Sequence, residues 1–185
     1  FLRLINDTVN DQRNSVVFDK QLDGVVGEAA GITADFDFRV SSADGSLADG
    51  FAFMLLPTAV YGDTGPGAGV NLPAAEEPSI PGLFAIGVDI YNGGPAWSAV
   101  SLHWDGVQYA ETDMESAFGL NLHNGAFHRI HLELTESIDG VLADLVLTPN
   151  IFGLPGAPQT VFDDLLLFGM QLYDYRLELV CRRVG

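Results

Sequence analysis

The chain has 185 residues, of which 48% are hydrophobic, and a formal net charge of −17. This length and composition provide for one well-buried core and not for two large domains, so we expect a single domain over residues 1–185. The negative charge argues against nucleic acid and anionic membranes as partners and favours neutral ligands, cationic ligands or divalent cations, although an acidic surface that maintains solubility explains it equally well.

Short runs of alternating polar and apolar residues recur between clusters of glycine, proline, asparagine and aspartate. This pattern is typical of an antiparallel β-sandwich, so we predict an all-β fold. No apolar run approaches the length of a membrane span. The predicted strands, in chain order, are 1–5, 15–19, 33–40, 51–56, 84–91, 99–104, 107–111, 127–135, 141–147, 160–166 and 176–182.

Two of the predicted strands carry polar residues at their ends. Strand 51–56 is apolar on both faces, and Asp49 lies just before it, where a buried strand meets its loop. Strand 84–91 presents small residues and Asp89 on one face, and it runs into the glycine-rich sequence 92–95. These two strand ends are the best candidates for a binding site.

A long segment separates these two strands. Residues 61–81 are rich in glycine and proline and carry Glu76 and Glu77. The composition predicts a surface loop, and its position between the two candidate strands favours a role at the rim of a functional site.

The sequences ADGFAFMLL at 48–56 and FAIGVDIYN at 84–92 resemble the L-type (legume-type) lectins. In that family an ADG(L/F)AF strand supplies a sugar-binding aspartate, and a V(E)xDxxxN strand supplies metal and sugar ligands. A looser similarity extends over most of the chain. The resemblance is to a divergent, bacterial-style member, and it implies a concanavalin A-like jelly roll that serves as a non-catalytic carbohydrate-binding module, secreted or displayed at the cell surface, with a role in adhesion.

The resemblance also implies a set of glycan-binding residues. They are Asp49, Gly50, Tyr91, Asn92, Gly93 and Trp97. Together a carboxylate, backbone amides, an amide side chain and aromatic rings would match the hydroxyls and the apolar face of a sugar. The family further implies a cis peptide bond between Ala48 and Asp49, which would turn the carboxylate toward the sugar. The alternative interpretation is that Asp49 caps its turn and Tyr91 packs in the core.

The metal ligands of the family are incomplete in this chain. Gly87 stands where the family has a metal-binding glutamate, and Ala99 stands where it has a histidine, so we expect the transition-metal site to be lost. Calcium requires six to eight oxygen ligands. The oxygen ligands available to calcium are Asp89, Asn92 and the Tyr91 carbonyl, with Asp105 or Asp113 as additions.

The sequence gives little support to an enzyme. The paired carboxylates of sandwich glycosidases, in an E-x-D-x-x-E pattern, are missing. Asp35, Asp37 and Arg39 share one strand face, which we interpret as a solvated, charge-compensated surface. We therefore predict no catalytic residues and rank a polysaccharide-degrading enzyme third among the functions.

The histidines also lack a catalytic pattern. His128 and His131 lie three apart on a predicted strand and so project to opposite faces, where they cannot share a metal. His103 shares a face with Asp105, and His131 shares one with Glu133. We interpret both as surface pairs.

The C-terminal sequence raises a question about assembly. The chain stops soon after strand 176–182, which predicts a missing closing strand and an open sheet edge. The other explanation is that this sequence is a fragment of a longer chain. Exposed edges pair with strands of other chains. The alternative function is therefore a structural subunit of an extracellular polymer or surface assembly that retains the lectin fold and self-associates through that edge. Cys181, the single cysteine, is expected to pack in the core beside Leu177 and Leu179.

Overall fold

The computed structural model describes residues 2–5, 12–20, 30–41, 49–69, 74–91, 97–151, 153–172 and 174–183. These residues form twelve strands and two short helices. The strands are β1 Gln12–Val17, β2 Gly31–Phe38, β3 Gly50–Pro57, β4 Phe84–Asp89, β5 Ala99–Trp104, β6 Val107–Asp113, β7 His128–Ser137, β8 Gly140–Thr148, β9 Asn150–Ile151, β10 Leu154–Pro155, β11 Gln159–Phe168 and β12 Tyr175–Arg183. The helices are α1 Thr58–Tyr61 and α2 Met114–Phe118.

The strands form two main antiparallel sheets that pack face to face. One has six strands in the order β1-β12-β3-β4-β5-β6, and the other has four in the order β11-β8-β7-β2. The core between them takes Phe53 and Ile86 from the first sheet and Ile130 and Leu145 from the second. The rings of Phe36 and Phe53 stack across it with centroids 5.1 Å apart. The predicted all-β antiparallel sandwich is therefore confirmed.

The six-stranded sheet buries its outer face as well. Met54 and Leu56 of β3 belong to a second apolar cluster on that face, together with Ala75 and neighbouring parts of the segment between α1 and β4. We call residues 61–69 and 74–80 the covering segment. Its packing explains why β3 is apolar on both faces. The segment predicted as a surface loop packs partly on the sheet, and its residues 62–66 are exposed.

Two buried polar residues hold the covering segment on the sheet. Glu178 of β12 accepts hydrogen bonds from the amides of Ala68 at 2.7 Å and Gly69 at 3.1 Å. Arg176, two residues earlier on the same face of β12, donates to the Gly65 carbonyl at 2.8 Å. A Cβ atom at Gly67 would lie 2.4 Å from the Glu178 carboxylate. The glycines of this segment therefore allow the chain to approach the sheet closely.

The last described strand lies inside its sheet. β12 pairs with β1 on one side and with β3 on the other, so the described edges of the two main sheets are β1, β6, β11 and β2. Cys181 of β12 is 5% exposed, as predicted for a core residue, and burial raises its pKa to about 12.

The predicted strand 1–5 is wrong in its described part. Residues 2–5 are irregular, and the Leu4 carbonyl accepts from the side chain of Asn14 at 2.7 Å. β12 already pairs with β1 and β3, so residues 2–5 cannot pair with it. The other predicted strands are present, with ends displaced by a few residues. The two helices were not predicted, because four or five residues are too few to show a helical period. Within the described ranges no helix is long and apolar enough to cross a membrane.

Candidate functional site

Strand pairing brings the predicted site residues together at one end of the six-stranded sheet. Gly50 pairs with Asp89, and Asp89 pairs with Ala99 on the next strand. The amide of Ile90 donates to the Asp49 carbonyl at 2.9 Å. Neighbouring strands lie about 5 Å apart, so residues that are 40 positions apart in sequence become direct neighbours here.

Asp49 is held by the C-terminal strand. Its side chain is 14% exposed, and Oδ2 lies 3.3 Å from Nε of Arg182. Burial raises the pKa of Asp49, while the charges of Arg182 and Arg13 act in the opposite direction. The described contact of this carboxylate is thus an ion pair with the neighbouring strand. Neither the prediction of a sugar ligand nor that of a turn cap included this contact. The Ala48–Asp49 peptide bond lies outside the described residues, so its cis geometry stays a prediction.

Asp89 turns back onto its own loop. Its Oδ1 accepts a hydrogen bond from the Tyr91 amide at 2.8 Å, as in an Asx turn. Burial raises its pKa to about 7, and the nearby charges of Glu76, Glu77 and Asp49 add to the effect, whereas the Tyr91 hydrogen bond opposes it. Asp89 therefore changes between its protonated and its ionised form near neutral pH.

Glu76 is a site residue that the sequence analysis did not select. A Cβ atom at Gly87 would lie 2.0 Å from the Glu76 carbonyl oxygen, and one at Gly50 would lie 3.0 Å from the Glu76 Cβ. The covering segment thus packs directly on the face of β4 that carries Gly87. Glu76 is 9% exposed, and its Oε2 has no hydrogen-bond partner among the described residues. Burial and the charge of Asp49 raise its pKa.

One sequence signal could have pointed to the covering segment. The face of β4 that carries Ala85, Gly87 and Asp89 consists of small residues up to the aspartate. Such a face leaves room for another backbone to pack closely. The pattern does not say which segment packs there, because the covering segment has no periodicity of its own.

The two aromatic candidates differ in their solvent exposure and hydrogen bonding. Tyr91 is 56% exposed, so the alternative interpretation of Tyr91 as a core residue is wrong. Trp97 is half-buried, and its side chain donates to Asp113. Asp113 also accepts from the amides of Glu115 at 3.0 Å and Ser116 at 3.1 Å at the start of α2, and these bonds lower its pKa. Asn92 and Gly93 lie outside the described residues.

The described side chains do not supply a calcium shell. No group of three or more histidine, cysteine, aspartate or glutamate residues within these ranges is arranged to hold a metal ion. Asp105 follows the far end of β5 from Asp89 and accepts from the Gly82 amide at 2.7 Å. Asp113 is engaged in capping α2. Neither residue completes the shell, and the contribution of Asn92 stays a prediction.

The histidines are arranged only partly as predicted. His128 and His131 project to opposite faces as expected: His128 is 1% exposed, whereas His131 lies on the outer face, 2.9 Å from Asp35. The surface pair of His103 with Asp105 is wrong. His103 is buried, and its Nε2 lies 2.8 Å from Oγ of Ser101. Burial lowers the pKa of His103 to about 4, so it is neutral in the folded protein at physiological pH.

The acidic face of β2 is charge-compensated, as predicted, but by different partners. Arg129 of β7 binds Asp37 with an Nε to Oδ1 distance of 2.8 Å. Arg39, the expected partner, instead places its guanidinium 5.2 Å from the centre of the Phe127 ring. The compensation comes from the neighbouring strand, which the sequence alone does not identify.

No protein-family model matches this chain, and no curated protein matches it significantly. The function is therefore inferred from the residues and their arrangement.

Proposed function

We propose that this protein is a non-catalytic, extracellular carbohydrate-binding module whose site lies at the end of β3, β4 and β5. The observation that supports it is the strand register at that end. Asp49, just before β3, and Asp89 of β4 come from distant parts of the sequence and lie at the same end of the sheet, and the exposed Tyr91 lies two residues after Asp89. Combinations of fixed polar groups with an aromatic face are suited to sugars.

The chemistry of each group fits this role. A sugar hydroxyl both donates and accepts, and the Asp49–Arg182 ion pair offers an acceptor beside a donor. The exposed ring of Tyr91 presents an apolar face for the C–H groups of a pyranose. Trp97 is half-buried and donates to Asp113, which restricts the freedom of its ring. The predicted amide donors of Asn92 and Gly93 would complete the site.

A glycan array followed by titration with the best ligand tests this proposal. Tyr91→Ala should weaken binding about tenfold, which corresponds to about 1.4 kcal/mol. Tyr109→Ala is the matched control, because Tyr109 is a 37% exposed tyrosine nearer the other end of the same sheet. Its affinity should equal that of the unmodified protein.

Two results would contradict the proposal. The first is that no saccharide binds at millimolar concentration. The second is that Asp49→Ala leaves the affinity unchanged, which would show that the site is elsewhere. The titration is repeated with EDTA: a loss of affinity would identify a cation at Asp89 and Asn92 as part of the site, and an unchanged affinity would identify metal-independent binding.

The second candidate function is a structural subunit of an extracellular assembly. One observation favours it: β2 lies at the edge of the four-stranded sheet and pairs with β7 through eight consecutive residues without a bulge. A straight edge of this kind accepts strands from other chains. The opposite edge, β11, is interrupted by two register shifts and by Asp164, whose φ is 47°. Size-exclusion chromatography and electron microscopy should reveal polymers, and a monomer at every concentration would contradict this candidate.

A further inference from the structure

We propose that the site selects saccharides that carry a free amino group over their N-acetylated and uncharged counterparts. The inference rests on the carbohydrate-binding function proposed above and adds the class of ligand. It is argued from the charges, the buried carboxylate and the aromatic ring at the end of β3, β4 and β5.

Carboxylates dominate the surroundings of the site. Glu76, Glu77 and Asp89 lie close enough to act on one another electrostatically. Asp113 follows on the same face of the sheet, because Asp89 pairs with Ala99 and Ala99 pairs with Asp113. Two strand spacings place it about 10 Å from Asp89. The ionised members of this group create a negative potential, which grows as the pH rises through the pKa of Asp89 at about 7.

Few cationic side chains act on these carboxylates: the charge of Arg182 acts on Asp49 and Glu76, and that of Arg13 acts on Asp49. Arg182 is engaged by Asp49, and Arg13 is paired with Arg182 in the register of β1 and β12. The sequence contains no lysine or arginine between Arg39 and Arg129. That interval includes every candidate sugar-binding residue and residues 42–48, 70–73 and 92–96, so none of these segments contributes a lysine or an arginine.

A second observation points to a cationic ligand. Glu76 is 9% exposed, yet its Oε2 has no hydrogen-bond partner among the described residues. A buried acceptor without a donor is unfavourable, and a nearby positive charge relieves this. Because Oε2 itself is buried, an ammonium group would act on it through its full positive charge, which an N-acetyl group or a hydroxyl lacks.

The exposed tyrosine adds to the selectivity. A cation within about 6 Å of an aromatic ring is attracted to its face. Tyr91 is 56% exposed, and its backbone amide is bonded to Asp89. Its side chain therefore extends from backbone that is adjacent to the acidic residues. An amino sugar would therefore gain from both the ring and the carboxylates. A saccharide bearing a carboxylate would be repelled by the same charges.

The test compares two oligosaccharides with the same backbone. The tetramer of glucosamine and the tetramer of N-acetylglucosamine are titrated against the full chain at low and high salt, at about pH 7, where part of the amines is protonated and part of Asp89 is ionised. The glucosamine tetramer should bind at least about tenfold more tightly at low salt, and the difference should narrow at high salt because the interaction is electrostatic.

A matched pair of variants separates the site from the overall charge. Glu77 is exposed and lies in the acidic cluster, whereas Glu136 is an exposed glutamate on β7 of the other sheet. Glu77→Gln should reduce the preference for glucosamine several-fold, and Glu136→Gln should leave it unchanged. An equal loss in both variants would assign the preference to the net charge of the protein and overturn the inference.

The remaining outcomes are distinguishable. If the N-acetylated tetramer binds equally well or better, the amino-sugar inference is wrong and the carbohydrate-binding proposal stands. If neither tetramer nor any other saccharide binds, the proposed function itself fails, and the inference fails with it.

Discussion

Gly87 shows how one residue decides the arrangement of the site. The absence of a side chain there lets the backbone of Glu76 lie directly on the strand. The Glu76 carboxylate then joins Asp89 and Asp49 at the end of the sheet. A carboxyl group thus reaches the site from the covering segment, through a contact between residues that are 11 positions apart in sequence.

Gly87→Ala is expected to destabilise the protein. The new methyl group would lie 2.0 Å from the Glu76 carbonyl and 2.5 Å from Ser101 Oγ, so the covering segment must move. We expect a loss of about 2–3 kcal/mol in the free energy of unfolding, measured by urea denaturation. Gly82→Ala is the control, because its φ of +73° costs about 1 kcal/mol but nothing lies within 4 Å. Equal losses in the two variants would contradict the close packing at Gly87.

His103 predicts a dependence of stability on pH. Its pKa is about 4 in the folded state against an ordinary 6.5, so the unfolded chain binds a proton more readily between these values. The stabilisation that neutral His103 provides is complete above about pH 6.5 and is lost as the pH falls toward 4. We expect the stability difference between the unmodified protein and His103→Gln to shrink by about 2–3 kcal/mol over this range.

Comparison with the variant cancels the carboxylates that also titrate in acid. Both proteins are unfolded with urea at several pH values between 7 and 4. This range contains the pKa of His103 in the unfolded and in the folded state. A difference that stays constant with pH would contradict a buried, neutral His103.

At the scale of elements, the covering segment distinguishes this molecule from a simple two-layer sandwich. It adds a third layer on the six-stranded sheet, and its attachment depends on Glu178, which is 0% exposed and accepts from two of its amides. Alternation predicted the strands because half-buried strands expose every second residue. The segment has no alternation, so its sequence was interpreted as a surface loop.

Glu178→Gln is expected to loosen the covering segment. The amide keeps the size of the carboxylate but replaces one acceptor oxygen with a donor that faces the amides of Ala68 and Gly69. We expect a loss of about 2–3 kcal/mol of stability and faster proteolysis between residues 61 and 80. Glu136→Gln, at an exposed position, should change stability by less than about 0.5 kcal/mol. Unchanged proteolysis in Glu178→Gln would show that other contacts hold the segment.

At the scale of the whole molecule, the net charge of −17 opposes the compact state through self-repulsion. Added salt screens this repulsion. We therefore expect the Tm at neutral pH to rise between low and moderate concentrations of sodium chloride, as measured by differential scanning calorimetry. A falling Tm would indicate that ion pairs such as Arg129–Asp37 outweigh the repulsion.

Several features followed from the sequence by itself. The alternation of apolar residues indicated the strands, the doubly apolar run 51–56 indicated a strand covered on both faces, and the small size of Cys181 indicated a core position. These properties are local, because a residue's polarity and the two-residue period of a strand determine which face it takes.

Other features were decided by the tertiary structure alone. The ion pair of Asp49 with Arg182, the burial of Glu76 and the bond between Ser101 and His103 each depend on which strands and loops become neighbours. Register and long-range pairing place residues from distant parts of the chain side by side, and burial then changes their charges. Local pattern carries no information about such partners, which is why the composition of the site was predicted only in part.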